Sequence, residues 1–176
     1  MNLPHLCILD TNIPVTANLA IQAGTHCHVP KGCIDACLAV IEHVQETQGI
    51  VLDSGGEIFF EYANNLSRSG QPGLGDAFLK WLFDHQWSFP AENRVHITKN
   101  GNSYNEFPSH AGLTEFDNSD RKFVAVANAH PKKPTILEAT DSKWWGWRDA
   151  LKDANIDVLF LAQDYIKHIY EKKMGQ

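Results

Sequence analysis

The sequence predicts an α/β protein: one domain built on a central, mostly parallel sheet of four to five strands, with helices on both faces. Two observations carry this. Short apolar runs that read as buried strands alternate with segments of helical spacing. Several of those runs stop at an aspartate followed by a polar turn. A chain of 176 residues is the length of a single domain with room for one long insertion.

Leu6-Cys7-Ile8-Leu9 is the first strand, ending at Asp10. Asn12 is placed to cap a short helix carrying Pro14 in its first turn. A loop over 21–32 precedes a helix from Ile34 to Gln48, with Ile34, Leu38 and Ile41 on one side and Gly49 as its terminator. Ile50-Val51-Leu52 is a second strand, ending at Asp53. After the Ser54-Gly55-Gly56 turn, Glu57 to Leu66 is a helix with Ile58, Phe59, Tyr62, Ala63 and Leu66 inward. A Gly/Pro-rich turn over Gly70–Gly75 leads to a helix around Ala77–Leu82. The stretch 87–115 reads as a long insertion with a strand at Arg94–Thr98. Its interleaved aromatic and cationic residues, Tyr104 and Lys99 among them, are expected to face substrate. The region from Asp117 to Ala129 starts a helix with Asp117 as cap. Thr135–Ala139 is the next strand, followed by Asp141 and a helix from Trp144 to Asp153. Val158–Leu161 and a helix from Asp164 to Lys173 close the chain.

Apolar residues make up 43% of the chain, enough for a substantial core, and no apolar run approaches 18 residues, so neither secretion nor membrane spanning is expected. The four cysteines, all in the first quarter, do not form a disulfide framework and suit a reduced cytoplasmic setting. The net charge of −6 argues against binding nucleic acid by bulk positive charge. It does not argue against a site where acids surround divalent cations, because the metal neutralises them.

Ligands of open α/β sheets bind outside the carboxyl ends of the strands. Asp10, Asp53 and Asp141 each follow a strand, while Asp120 lies in the first turn and Glu61 in the second turn of helices that begin on the same edge. Such a cluster of like charges is costly without a cation to fill it. Oxygen ligands suit Mg²⁺ or Mn²⁺, and a pair of such ions is a recurrent means of cleaving phosphodiesters.

From Phe116 to Ala127, with Asp120 followed by an Ala-rich face, the chain resembles the PIN-domain (PilT N-terminus-like) nucleases. Ile8-Leu9-Asp10-Thr11-Asn12, Glu61–Leu66, Ala139-Thr140-Asp141 and Asn155–Asp164 resemble the family's other stations in order, so the resemblance spans nearly all of residues 1–176 outside about 86–115. It implies a Mg²⁺- or Mn²⁺-dependent ribonuclease, with single-stranded DNA as the other substrate it admits. Asp10, Glu61, Asp120 and Asp141 would be catalytic and metal-binding, and Asp117 a fifth ligand. Thr11, Asn12 and Thr140 would orient ligands, while Arg121, Lys122 and Lys143 would contact the substrate backbone. Many members of that family are toxins, which makes an antitoxin protein the expected partner, and a homodimer is a further expectation.

Three other readings stand beside this one. His26, Cys27, His28, Cys33 and Cys37 would be a zinc site, although their spacing matches no common pattern. Asp53 would be the phospho-accepting residue of a signalling receiver. The domain would otherwise be an inactive PIN-like scaffold.

Overall fold

A computed structural model describes residues 2–21, 28–67 and 73–175. Its centre is a parallel sheet of three strands, β1 (Cys7–Leu9), β6 (Thr135–Glu138) and β7 (Val158–Phe160), in the order β1-β6-β7. Cys7, Ile8 and Leu9 are each fully buried. Successive side chains of a strand point to opposite faces, so burial of all three requires cover on both sides.

A second parallel pair joins β2 (Leu52–Asp53) to β3 (Arg94–Val95). One bridge, Cys7 to Ile50, links it to β1; the Cys7 amide donates to Gly49 and the Val51 amide to Cys7, both at 2.9 Å. The expectation of one four- to five-stranded sheet is thus met in part, as a three-stranded sheet with a two-stranded neighbour.

The helices follow the apolar periodicity. In α2 (Lys31–Thr47), Cys33, Cys37, Val40, Ile41 and Val44 form the buried stripe. Its left-handed terminal residue is Gln48, at φ 53°, rather than Gly49. Gly49 is required for a different reason: a Cβ there would stand 1.7 Å from the His5 carbonyl oxygen. The short α1 (Asn12–Ala17) has Thr11 at its cap position, so Asn12 is its first residue and not the expected cap. Helices α3 (Glu57–Asn65) and α4 (Leu74–His85) come next, and α4 starts where Gly75 passes so close to Pro14 that a Cβ would meet its carbonyl oxygen at 1.8 Å. Then come α5 (Arg121–Ala129), α6 (Lys143–Asp153) and α7 (Gln163–Met174). The 87–115 stretch holds β3 and a hairpin of β4 (Lys99–Asn100) and β5 (Ser103–Tyr104), turning at Gly101 with φ +58°. The single strand expected over Arg94–Thr98 therefore covers only Arg94–Val95.

Candidate metal centre

The site begins with strand register. Leu9 pairs with Leu137, and the Asp10 amide continues the ladder by donating to the Leu137 carbonyl at 3.0 Å. The next residue on each strand, Asp10 and Glu138, therefore stand side by side. Asp10 is 2% exposed and Glu138 is fully buried. Glu138 Oε1 accepts the amides of Thr140 at 3.0 Å and Asp141 at 2.7 Å, which folds the strand exit around it and brings Asp141 in. Glu138 Oε2 is buried and has no hydrogen-bond partner among the described residues.

Burial of Asp10, opposed by its bonds to Asn12 and reinforced by the nearby Asp141, pushes its carboxyl up to about 6. Burial and the Asp10 charge push Glu138 well above the usual carboxylate range. Asp120 is raised to about 7 by burial, then by Asp10, Asp117 and Asp141. Four acids from three elements and their exits, Asp10, Glu138, Asp120 and Asp141, thus crowd one edge of the sheet.

Asn12 and Thr140 orient this group. The Asn12 amide donates to Asp10 Oδ1 at 2.8 Å, the Asn12 side chain donates to the same oxygen, and the Thr140 hydroxyl donates to Asn12 Oδ1 at 2.6 Å. Thr11 Oγ1 is buried and unpartnered among the described residues. Tyr62 places α3: its hydroxyl donates to the Leu9 carbonyl at 2.6 Å, tying that helix to the end of β1. Glu61, the residue before it, consequently joins Asp10, Thr11, Asn12 and Asp120 around a cavity of about 220 Å³. Phe116 sets the other side. It packs on Trp144 at 5.1 Å and Trp147 at 4.9 Å, fixing the segment that carries Asp117 and Asp120 against α6.

Two acids are engaged by lysines. Glu61 pairs with Lys122 at 3.2 Å, and Asp117 pairs with Lys143 at 2.8 Å, which with Ser119 lowers the Asp117 carboxyl to about 2. Among the described residues, no three His, Cys, Asp or Glu side chains stand close enough together to form a ligand set as they are placed. Asp117 does not cap α5, because its Oδ1 accepts the Ser119 amide and hydroxyl, and Asp120 makes no side-chain cap bond either.

Several expectations need correction. Asp53 does not face the acid group with a free carboxylate: it is 2% exposed and accepts the amides of Glu57 and Ile58, each at 2.8 Å. Each oxygen is already engaged by an amide at the start of α3, so a phosphoryl group there would compete with that helix, which weighs against the receiver reading. Arg121 is committed to the Thr114 and Phe116 carbonyls, at 2.7 and 3.1 Å, rather than to substrate. Lys122, with a side chain 9% exposed, holds Glu61 and the Ser119 carbonyl. Lys143 remains 57% exposed beside Asp117. Tyr104 is buried, its hydroxyl donating to Glu57 at 2.9 Å. Of the zinc candidates, His26 and Cys27 lie outside the described residues, His28 is exposed, and Cys33 and Cys37 are buried in the core, with Cys33 donating to the Ala139 carbonyl at 3.7 Å.

Glu138 was not among the expected ligands. The available signal was a carboxylate inside the apolar run Ile136-Leu137-Glu138-Ala139, where an unpaired charge is costly. Comparison of the chain with protein-family models, curated proteins and solved structures returns no match.

Proposed function

We propose that this chain is a Mg²⁺- or Mn²⁺-dependent nuclease that hydrolyses RNA, organised as a single PIN-like domain over residues 1–176 in which β2 and β3 continue the sheet through the Cys7–Ile50 bridge. The observation that carries the reading is the crowding of Asp10, Glu138, Asp120 and Asp141, with a buried Glu138 oxygen that has no hydrogen-bond partner among the described residues. A cluster of that kind has two physical solutions, protonation or a cation. Every donor is a carboxylate, amide or hydroxyl oxygen, the set that hard divalent ions prefer over zinc or copper.

Asp10, Glu138, Asp120 and Asp141 would have to close on the ion to hold it, because no three of them stand together as a ligand set as they are placed. Glu61 lines the same cavity as Asp10 and Asp120, and Asp117 is held by Lys143. A divalent ion bound there supplies an activated water at neutral pH and stabilises charge on the phosphate. The chain's own residues do the positioning. The Thr140-Asn12-Asp10 relay fixes the Asp10 carboxylate. Thr11 offers its unpartnered hydroxyl beside the cavity. Lys143, exposed beside Asp117, is the cation available to a phosphate oxygen once it leaves that partner. Single-stranded DNA meets the same chemistry, because none of these groups reads a 2′-hydroxyl. A cytoplasmic toxin role, an antitoxin partner and a homodimer rest on the family resemblance alone. No helix among the described residues is long and apolar enough to cross a membrane.

The test is incubation of an end-labelled single-stranded RNA with the protein and Mn²⁺. Cleavage that leaves a 5′-phosphate and stops in EDTA is expected. Intact RNA, or cleavage indifferent to EDTA, contradicts the reading.

A further inference from the structure

A second cavity, of about 390 Å³, adjoins the acid cavity and shares Glu61 with it. Its walls are α3 and the β4–β5 hairpin, with Phe60, Asn64, Lys99, Asn102 and Asn118 facing it. Phe60 is 61% exposed, an unusual position for a phenylalanine that follows buried Phe59 on the same helix. The neighbouring Phe59 ring meets it edge-on at 6.2 Å. Around it are the exposed amides of Asn64, Asn102 and Asn118, and the ammonium of Lys99, 66% exposed and only 3.6 Å from Glu57.

We propose that this groove is a nucleotide subsite: an unpaired base of the substrate stacks on Phe60, the asparagine amides bond its edge, and Lys99 meets the adjoining phosphate. The inference rests on the nuclease reading for the identity of the ligand. The combination of aromatic face, amides carrying both donors and acceptors, and a cation is the chemistry by which proteins hold single-stranded nucleic acid. A purely apolar protein partner fits worse, because the groove has one exposed aromatic residue among amides and charges. Continuity through Glu61 gives the subsite its purpose, since a base on Phe60 leads the strand across the acids. Stacking needs an unpaired base, so the subsite selects single strands over duplex.

The experiment is fluorescence anisotropy of a labelled single-stranded RNA and of the same strand annealed to its complement, in Mn²⁺. It uses Asp10→Asn protein with and without Phe60→Ala or Phe60→Trp. Phe60→Ala should weaken single-strand binding roughly 5- to 150-fold, the range for loss of one base stack. Phe60→Trp should keep the affinity, duplex binding should not change, and an exposed ring should leave the melting temperature in place. Equal single-strand affinity with and without Phe60→Ala overturns the subsite, as does an equal loss for duplex or a change confined to oligomeric state. If the strand binds through Phe60 and wild-type protein never cleaves it, the subsite stands and the nuclease reading falls. If wild-type protein cleaves with a KM indifferent to Phe60→Ala, the nuclease reading stands and the subsite falls.

Discussion

Glu138 and Asp10 are neighbours by register: the β1–β6 ladder sets Leu9 against Leu137, so the next residue of each strand presents its carboxyl to the other. The pH dependence of stability follows from this pair and Asp120. Asp10 is held near 6 and Asp120 near 7, both above an ordinary value of 3.8. Raised acids bind more protons in the folded chain than in the unfolded one, so between about pH 4 and 7 these groups make stability fall as pH rises. In EDTA, the melting temperature of wild-type protein should drop from pH 5 to pH 7.5 by more than that of Asp10→Asn or Glu138→Gln. At roughly 2–4 °C per kcal/mol for a chain of this size, the excess is on the order of several degrees. Mn²⁺ should restore the wild-type value at pH 7.5 and do little for either variant. Parallel pH profiles for the three proteins would contradict this.

Glu61 and Glu57 lie one turn apart on α3 and have different tasks. Glu61 borders both cavities, whereas Glu57 lines only the one away from the acids and receives the Tyr104 hydroxyl and the Lys99 ammonium. Glu61→Gln should therefore lower kcat/KM on the order of 10- to 100-fold, the scale on which groups supporting a metal act. Glu57→Gln should leave the rate near wild type. Steady-state cleavage assays on the two variants decide it, and the reverse ranking would exclude the arrangement of α3 around Glu61.

Tyr104 belongs to the core, not to the substrate. Its ring is 8% exposed and its hydroxyl is bonded to Glu57. Tyr104→Ala should cost about 3–5 kcal/mol, as removal of a buried aromatic ring does. Lys99→Ala, at an exposed position, should leave the melting temperature unchanged. A stable Tyr104→Ala protein with weakened RNA binding would restore the ring to the substrate.

Gly56 holds the cap position of α3, and the Asp53 carboxylate accepts that helix's first two amides. Asp53→Ala should cost about 1–2 kcal/mol, the usual loss for a helix N-terminus deprived of its acceptor. Acetyl phosphate should leave residue 53 unmodified when the intact protein is examined by mass spectrometry. Phosphorylation there would revive the receiver reading.

The sequence made the strands and helices readable because the apolar periods are clean: the β1, β6 and β7 segments and the α3 and α6 segments lie within a residue or so of their expected bounds. The acids Asp10, Asp120 and Asp141 were readable from their places at strand exits and a helix start. Register was not readable, and it sets Glu138 beside Asp10, while Asp53 is engaged by the first amides of α3. Nor does residue type reveal how a cation is spent. Arg121 goes to backbone carbonyls and Lys122 to Glu61, choices set by packing around Phe116 and α3. The aromatics of 87–115 divided by the same logic, with Phe89 and Tyr104 going into the core and Trp87 staying 78% exposed.

The acids at the β1–β6 edge are proposed to hold the divalent ion that makes cleavage possible. The most direct measurement is the single-turnover rate of RNA cleavage by wild-type and Asp10→Asn protein at saturating Mn²⁺, with folding of both confirmed by circular dichroism. Asp10→Asn keeps the side chain's shape and removes a charge from the cluster, so the rate should fall to near background while the spectrum is unchanged. Full activity of Asp10→Asn would contradict the account.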